Sequence, residues 1–285
     1  MIVFPNCKIN LGLNVVAKRS DGYHDLETVF YPLPLSDILE IVPASDDSVS
    51  FQSTGLPIPG DPGENLCMKA FRLMENEFHI QPVKIHLHKI IPMGAGLGGG
   101  SSDGTFTLKL LNDLFSLGLN DERLYDFARQ MGSDCSFFIT NRPVFASGTG
   151  DRFLPVNIDL SGRRIVLVVP PFHVKTAAAF NGITPAVPAR SVRNISEVPV
   201  EEWRDFLVND FEKSVFKQFP GIGEIKKRLY DFGAVYASMT GSGSAVFGLF
   251  SADSKISGEY PGCAMWQIPG SRLQVPMSIP PTATA

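Results

Sequence analysis

The sequence predicts an α+β fold built from two halves, with one glycine cluster in each half. Apolar runs rich in β-branched residues, which are typical of strands, are interleaved with segments of helical periodicity along the chain. Glycine is concentrated in residues 94–100, "GAGLGGG", and again in residues 240–244, "TGSGS". The chain has 285 residues, of which 44% are hydrophobic, so it is long enough for two medium domains. We expect these domains to span residues 1–150 and 151–268, followed by a flexible tail at 269–285.

The N-terminal half begins with strand patterns and then changes to helical periodicity. Residues 7–16, "CKINLGLNVV", and residues 35–43, "LSDILEIVP", are predicted to form strands, with a turn at 20–25, "SDGYHD". Asn65 is a suitable N-cap for a helix over residues 66–78, where apolar side chains recur at helical spacing. This half therefore combines strands with amphipathic helices.

A strand, the glycine loop and a helix follow one another directly in the middle of this half. Residues 83–91, "VKIHLHKII", are the predicted strand, and residues 101–117 form a largely buried helix after the loop. Ser101 or Ser102 is expected to cap this helix, because a serine hydroxyl can accept a hydrogen bond from a free backbone N–H of the first turn. A further helix is predicted over residues 121–131.

The C-terminal half has its own set of strands and helices. Residues 163–171 are predicted to form a buried strand, and residues 200–219 and 222–232 are predicted to be amphipathic helices. Two more strands, at 234–239 and 244–250, flank the second glycine cluster. No internal repeat relates the two halves.

Charge and cysteine content exclude several classes of protein. The formal net charge is −4, with acidic and basic residues spread along the chain, whereas a general nucleic-acid binder needs a basic stripe. The four cysteines are far apart and have no metal-site spacing, which predicts reduced thiols in a cytoplasmic protein. No apolar run approaches the roughly 20 residues that span a bilayer. We expect a soluble intracellular protein without nucleic-acid or membrane partners.

The first glycine cluster matches two well-known nucleotide motifs only superficially. Gly94, Gly96 and Gly99 fit GxGxxG, but a dinucleotide site needs a second parallel strand after the helix, where this sequence predicts another helix. A P-loop is excluded because no lysine follows Gly99. The "DFG" triplet at 231–233 lacks the other elements of a protein kinase.

The arrangement of strand, glycine loop and helix nevertheless predicts an anion site. Backbone N–H groups of the loop and the positive end of the following helix together form a cradle for a polyphosphate. The alternative is a purely structural turn. A turn needs one or two glycines, whereas five of the seven residues 94–100 are glycine, and surplus glycine costs backbone entropy. The phosphate site is therefore favoured.

Three segments of the chain resemble the motifs of the GHMP kinases, a family named for galactokinase, homoserine kinase, mevalonate kinase and phosphomevalonate kinase. "PMGAGLGGGSSDGT" resembles the family's P-x-x-x-G-L-G-S-S signature, and "KINLGLNV" and "SMTGSGSAVFGLF" are similar to its N-terminal and C-terminal motifs. The three span residues 8–250. The resemblance implies a two-domain fold with an N-terminal half like domain 2 of ribosomal protein S5 and a ferredoxin-like C-terminal half. It also implies ATP and Mg²⁺ as cofactors.

The N-terminal stretch points to one branch of this family. "KINLGLNVVAKRSDGYHDLETVF" resembles the kinases that phosphorylate a cytidine diphosphate sugar alcohol on the non-mevalonate route to isoprenoid precursors. "GSDCSFF", "NDFE" and "ASMTGSGS" are similar to further segments of those enzymes. The resemblance fades after about residue 250, and it implies a small-molecule partner with a cytosine base.

The resemblance also implies roles for individual residues. Lys8 and Asp134 match the family's catalytic pair, with Asp134 accepting or orienting the proton of the attacking hydroxyl. From the sequence alone, Asp134 would more often be a helix cap, and Lys8 an edge residue of its strand. Asn10 lies on the same face of the strand as Lys8 and is a candidate substrate contact. Ser102 is the residue expected near Mg²⁺ or phosphate.

Further residues are assigned to ligand binding on the same grounds. His24 would hydrogen-bond the cytosine and Tyr23 would cover one of its faces, with Phe180 on the opposite face and Thr176 close by, although ordinary turn residues and a core phenylalanine are the alternatives. Lys175 departs from the small polar residue expected at its position. The predicted ATP contacts are Pro92, Met93, Gly94, Ala95, Gly96, Leu97, Gly98, Gly99, Gly100, Ser101 and Ser102. The predicted structural glycine motif consists of Thr240, Gly241, Ser242 and Gly243.

Two other functions remain compatible with these motifs. A GHMP kinase could act on another small alcohol such as homoserine, although the "DGYH" turn disfavours this. A GHMP-fold protein could also bind its ligand as a sensor without catalysis, but a sensor has no need for both Lys8 and Asp134. The sequence leaves open whether the protein is a monomer or a homodimer.

Overall fold

The computed structural model describes residues 1–46, 48–180, 182–256 and 258–270, which form three four-stranded sheets and eight α-helices. The strands are β1 (Ile2–Val3), β2 (Asn6–Lys18), β3 (His24–Ser36), β4 (Ile38–Pro43), β5 (Ser50–Gly55), β6 (Val83–Lys89), β7 (Val144–Ser147), β8 (Arg152–Pro155), β9 (Arg163–Val169), β10 (Tyr236–Met239), β11 (Val246–Ser251) and β12 (Ala264–Pro269). The helices are α1 (Leu66–Phe78), α2 (Gly99–Leu114), α3 (Asp121–Met131), α4 (Phe137–Thr140), α5 (Thr176–Phe180), α6 (Trp203–Phe206), α7 (Phe211–Gln218) and α8 (Pro220–Asp231). The predicted mixture of strands and helices, and with it the α+β fold class, is confirmed.

The N-terminal half contains two sheets and a layer of helices. One sheet has the order β1-β4-β6-β5, and all its pairs are antiparallel except β5 with β6. Its inner face, including Leu39, Ile41 and Leu87, packs against α1, α2 and α3 in one apolar core. The other sheet, of order β2-β3-β7-β8, is antiparallel throughout.

The third sheet, in the C-terminal half, is antiparallel with the order β10-β11-β9-β12. One of its faces packs against α7 and α8. The other shares a core with the β2–β3 sheet, in which Ile9 and Leu11 lie with Leu167, Tyr236 and Phe247. The two halves are therefore joined by buried apolar contacts. The division predicted at residue 150, which falls between the paired strands β7 and β8, remains a prediction.

Of the two helix starts predicted from capping residues, that of α1 is confirmed and that of α2 is not. The predicted cap of α1 is confirmed, since the Asn65 side chain accepts a hydrogen bond from the Cys67 N–H at 2.9 Å. Helix α2, however, begins at Gly99, and neither Ser101 nor Ser102 caps it. Its N-cap is Gly98, whose φ of 69° lies in the left-handed region that glycine adopts without a steric penalty. The left-handed conformation of Gly98 thus allows the helix to begin at Gly99, two residues before Ser101.

Strand β3 extends over residues that the sequence placed in a turn and a later strand. The predicted strand at 35–43 is divided at Asp37. The Asp37 carboxylate accepts hydrogen bonds from the backbone N–H groups of Ile90 and Ile91, at 2.5 and 2.8 Å. The chain leaves the β2–β3 sheet at Asp37, because the Asp37 side chain is hydrogen-bonded to the residues that follow β6.

The helix predicted over residues 200–219 is interrupted at residues 207–210. Leu13 N–H donates to the Val208 carbonyl at 2.8 Å, and Asp210 N–H donates to the Leu13 carbonyl at 2.9 Å. The Asn209 side chain donates to the carbonyls of Met239 and Gly241. These contacts with β2 and the second glycine cluster replace the helical hydrogen bonds.

Two predictions concern the ends and the environment of the chain. Most of the predicted tail at 269–285 lies outside the described residues, apart from Pro269, which ends β12, and Gly270. Within the described ranges, no helix is both long and apolar enough to cross a membrane.

Candidate active site

A cavity of about 980 Å³ lies between the two halves and collects most of the predicted site residues. Three of the predicted residues, Ala95, Ser102 and Thr240, are buried behind its wall. The predicted residues that line it are Lys8, Asn10, Tyr23, His24, Pro92, Met93, Gly94, Gly96, Leu97, Gly98, Gly99, Gly100, Ser101, Asp134, Thr176, Phe180, Gly241, Ser242 and Gly243.

Lys8 is fixed by its strand and by the glycine loop. Its backbone N–H donates to the Leu97 carbonyl at 2.9 Å, which joins β2 directly to the loop. Its side chain is only 4% exposed, with Nζ 2.7 Å from Asn10 Oδ1 and 3.4 Å from Asp134 Oδ2. The ring of Phe30 lies beneath the ammonium group at 4.8 Å. These partners hold the Lys8 side chain in one position at the wall of the cavity.

Asp134 lies in a short 3₁₀ turn, Ser133–Cys135, that follows Gly132 and α3. The turn has Gly132 at its N-cap position and no side-chain cap hydrogen bond, so the helix-cap alternative for Asp134 is wrong. The Asp134 side chain is 33% exposed and lines the cavity. An ionised carboxylate beside a buried ammonium, open to a ligand, is suited to receiving a proton.

Thiols near this pair are chemically inert. Burial raises the pKa of Cys135 to about 11 and that of Cys7 to about 12. Both thiols therefore stay protonated at neutral pH, and a thiolate nucleophile is excluded at these positions.

The glycines of the first cluster are needed for several different reasons. Gly94, Gly96 and Gly98 all have positive φ, between 69° and 84°. A Cβ on Gly96 would lie 2.1 Å from the Thr240 carbonyl oxygen, and one on Gly99 would lie 2.9 Å from Ile91 Cγ2. A turn conformation and close packing thus account for most of these glycines, and the bare backbone that results lines the cavity.

The second glycine cluster packs against the first through backbone atoms. Ala245 N–H, just after the second cluster, donates to the Ala95 carbonyl at 3.1 Å. A separate side-chain contact joins the second cluster to α5, where the Ser242 hydroxyl donates to Thr176 Oγ1 at 3.2 Å. A Cβ on Gly243 would lie 2.1 Å from the carbonyl carbon of Ala95. The contact between the halves at this point leaves no space for a side chain.

Replacing Gly243 by alanine is expected to lower the free energy of unfolding by about 1–3 kcal/mol, because the added methyl overlaps backbone that cannot rotate away. Urea unfolding measures the change. Gly162→Ala is the matched control, since a Cβ there meets no atom within 4 Å. Equal unfolding midpoints for the two variants would contradict the close contact.

The far end of the cavity is aromatic and draws residues from both halves. The rings of His24 and Phe180 are stacked, with centroids 4.5 Å apart and planes 19° apart. Phe180 also meets Phe211 edge-on at 4.8 Å. Tyr23 lines the cavity but is 66% exposed. His24 thus covers one face of Phe180, which is not the edge position predicted for it, so a base can stack only on a face of Phe180 that His24 leaves free. This end still offers flat apolar surfaces and an imidazole, which suit a planar ring.

Several residues that line the cavity were not predicted from the sequence to bind a ligand. His173 approaches the glycine loop so closely that a Cβ on Gly94 would lie 2.7 Å from its Cε1 atom. Leu66 and Thr149 also line the cavity, as does Lys175, which the sequence marked only as unusual. None of these positions has a local pattern that indicates a ligand site, because each is brought there by the tertiary fold.

Two protein-family models match this chain. The model described as "GHMP kinases N terminal domain" matches residues 65–142, and the model described as "GHMP kinases C terminal" matches residues 189–259. The chain belongs to the GHMP kinase family. The resemblance drawn from its three motifs is confirmed, and so is the predicted two-domain GHMP kinase fold.

Two curated relatives of this GHMP kinase carry the same name. The 4-diphosphocytidyl-2-C-methyl-D-erythritol kinase of Bacteroides fragilis is 55% identical over 259 residues, covering 90% of this chain and 94% of the relative. The enzyme of that name from Porphyromonas gingivalis is 49% identical over 270 residues, covering 94% and 98%.

Solved structures agree at the level of fold and family. A crystal structure of 4-(cytidine 5'-diphospho)-2C-methyl-D-erythritol kinase superposes with a TM-score of 0.75 and 34% identity, over 87% of this GHMP kinase and 90% of that chain. The homoserine kinase of Cytophaga hutchinsonii superposes with a TM-score of 0.68 at 18% identity, covering 88% and 85%, and shows the shared fold alone.

Proposed function

We propose that this GHMP kinase transfers the γ-phosphate of ATP to the 2-hydroxyl of 4-diphosphocytidyl-2-C-methyl-D-erythritol. The observation that carries the proposal is that the Lys8–Asp134 pair and the His24–Phe180 stack line one cavity, with the glycine loop beside the pair. One molecule with an alcohol at one end and a nucleobase at the other fits such a site. The curated relatives named above support the same substrate.

The glycine loop and helix α2 are the proposed triphosphate site. Helix α2 runs over 16 residues, so its first turn offers free N–H groups and the positive end of a helix dipole. Gly100 and Ser101 belong to this first turn and line the cavity. Anionic oxygens bound here would be held with the γ-phosphoryl group towards Lys8.

Asp134 and Lys8 are the proposed catalytic residues. As the acceptor oxygen bonds to the γ-phosphorus, the bond from that phosphorus to the β,γ-bridging oxygen breaks, ADP leaves, and the hydroxyl proton passes to Asp134. The ammonium of Lys8, 3.4 Å from Asp134, offsets the negative charge that gathers around the transferred group. Asn10 keeps that ammonium in place through its 2.7 Å hydrogen bond.

Mg²⁺ fits this site as a metal that arrives with the nucleotide. Among the described residues, no group of three or more histidine, cysteine or acidic side chains is placed to hold a metal, and Mg²⁺ typically relies on phosphates, water and one or two carboxylates. The carboxylate of Asp134 and the hydroxyl of Ser101 line the cavity and would face such an ion. Bound with ATP, the ion would neutralise phosphate charge. Ser102, the residue predicted near it, has a fully buried hydroxyl without a hydrogen-bond partner among the described residues.

Release of ADP from Mg-ATP by the purified protein tests this function. The acceptors to compare are 4-diphosphocytidyl-2-C-methyl-D-erythritol, homoserine and mevalonate. We expect turnover with the cytidyl acceptor alone. Turnover with homoserine would identify a different alcohol kinase, and ATP binding without any acceptor-dependent turnover would favour the ligand sensor.

Phe180→Ala is expected to raise the KM for the cytidyl acceptor by about 5–150-fold while the KM for Mg-ATP stays near the wild-type value. The reason is that stacking on an aromatic ring stabilises a bound base by about 1–3 kcal/mol. Steady-state kinetics with each substrate varied in turn gives both constants. Phe4→Ala removes another phenylalanine, 43% exposed and outside the cavity, and serves as the control. An unchanged acceptor KM in Phe180→Ala would place the base elsewhere.

A further inference from the structure

The edge of β2 that faces away from β3 is held by separate segments of the protein. The N–H of Lys8 donates to the Leu97 carbonyl in the glycine loop, and the N–H of Leu13 donates to the Val208 carbonyl. Between them, the N–H of Asn10 donates to the side-chain hydroxyl of Thr240 at 3.0 Å. Midway along this edge, the backbone N–H of Asn10 is therefore held by one hydroxyl from the second glycine cluster.

Thr240 is completely buried and makes more than this one contact. Its Oγ1 lies 3.2 Å from Asn10 Oδ1 and 3.2 Å from the carbonyl oxygen of Gly96 in the first glycine cluster. A hydroxyl has one proton, so it donates to one of these oxygens at a time while it accepts from the Asn10 N–H. Thr240 therefore joins the strand to both glycine clusters.

The carboxamide of Asn10 transmits this constraint to Lys8. Asn10 Oδ1 accepts from Lys8 Nζ at 2.7 Å, and Asn10 Nδ2 donates to Thr28 Oγ1 at 2.9 Å. Both ends of the carboxamide are thus assigned, and the lysine contact depends on where the Asn10 backbone lies. A shift of Asn10 would move the ammonium relative to Asp134.

The turn itself does not need the Thr240 hydroxyl. The Thr240 N–H donates to the Ala245 carbonyl at 3.0 Å, and the Thr240 carbonyl accepts from Gly243 N–H at 3.4 Å. These bonds use backbone atoms that Thr240→Val and Thr240→Ser both keep. The hydroxyl is thus separable from the folding of the glycine cluster.

We infer that Thr240 is a positioning residue for phosphoryl transfer, whose hydroxyl fixes Asn10, and through it the ammonium of Lys8, relative to the glycine loop. The inference rests on the proposed function for its effect on catalysis. It assigns the shape of the turn to the backbone and the alignment of the reacting groups to one side-chain oxygen. Misplacement of a catalytic group by about 1 Å can cost about 100-fold in rate.

Comparison of Thr240→Val with Thr240→Ser tests this inference. Valine keeps the shape and removes the hydroxyl, whereas serine keeps the hydroxyl and removes the methyl. We expect Thr240→Val to lower kcat by about 10–100-fold with the KM for Mg-ATP changed by less than about three-fold, and Thr240→Ser to recover most of kcat. Equal losses in the two variants, or an unchanged kcat in Thr240→Val, would overturn the inference. If Thr240→Val fails to fold, Thr240→Ala makes the same comparison with Thr240→Ser.

Amide hydrogen exchange separates this inference from the proposed function. In Thr240→Val the Asn10 amide is expected to exchange at least about ten-fold faster, while the Lys8 amide, bonded to Leu97, keeps its rate. This result needs no acceptor. A wild-type protein inactive with every acceptor would defeat the proposed function alone, whereas an unchanged Asn10 exchange rate would defeat the role of Thr240.

Discussion

Replacing Asp134 by asparagine is expected to lower kcat by about 10²–10⁴-fold. The amide has the size of the carboxylate but cannot take the proton of the attacking hydroxyl. Because Asp134 lies 3.4 Å from Lys8 Nζ, the two residues should act as a unit. The double variant Lys8→Met with Asp134→Asn is therefore expected to lose little more than the worse single variant. Pre-steady-state and steady-state ADP release give these constants.

Asp126→Asn is the matched control for this prediction. Asp126 is an exposed carboxylate on α3 in the same half, paired with Arg123 and Arg129, and it does not line the cavity. It should retain wild-type kcat, since exposed ion pairs contribute little. Wild-type kcat in Asp134→Asn would show that the carboxylate takes no proton. Losses that multiply in the double variant would show that Lys8 and Asp134 act separately.

The strand that bears Lys8 could be predicted from the sequence, but the pairing of Lys8 with Asp134 could not. Alternation in "KINLGLNV" places Lys8 and Asn10 on one face of β2, and the structure confirms that both line the cavity. Asp134 follows more than 100 residues later in a 3₁₀ turn, and local patterning favours a cap there. Only the family resemblance joined it to Lys8, because a contact at that separation leaves no local signal.

The glycine loop has a second cause that counting residues did not indicate. Five glycines were assigned to phosphate binding, yet Gly96 is required by the Thr240 carbonyl and Gly99 by Ile91. A contact between two glycine clusters about 145 residues apart cannot be read from either cluster alone. The prediction of one helix over 200–219 was wrong for the same reason. Hydrophobic periodicity gives no sign that the Asn209 side chain donates a hydrogen bond to the Met239 carbonyl.

A buried ion cluster beneath the glycine loop had no sequence signal at all. Lys89 ends a strand pattern and would ordinarily be solvated, but its ammonium lies 2.5 Å from Asp37 Oδ2 and 2.8 Å from Asp103 Oδ2, with all three residues buried. Burial, together with the charge of Asp37, raises the pKa of Asp103 to about 8, although Lys89 acts in the opposite direction. The cluster therefore depends on the ammonium of Lys89 as its cation.

Lys89→Met is accordingly expected to lower the free energy of unfolding by about 3–5 kcal/mol, because it leaves a buried carboxylate without its cation. The damage should reach the glycine loop, since Asp37 also accepts hydrogen bonds from the N–H groups of Ile90 and Ile91 just before it. Urea unfolding measures the loss of stability. In any folded fraction, Mg-ATP affinity should also fall.

Lys84→Met is the matched control for Lys89→Met. It also removes an ammonium group from β6, but from an exposed position. Lys84 pairs with Asp46 at 3.6 Å, and both side chains are exposed, so the expected cost is below about 1 kcal/mol. Equal unfolding midpoints for Lys84→Met and Lys89→Met would mean that the buried ammonium stabilises the fold no more than the exposed one. The expected difference instead makes Lys89 the cation that stabilises two acidic side chains beneath the proposed triphosphate site. Without this cation, their charge would repel phosphate.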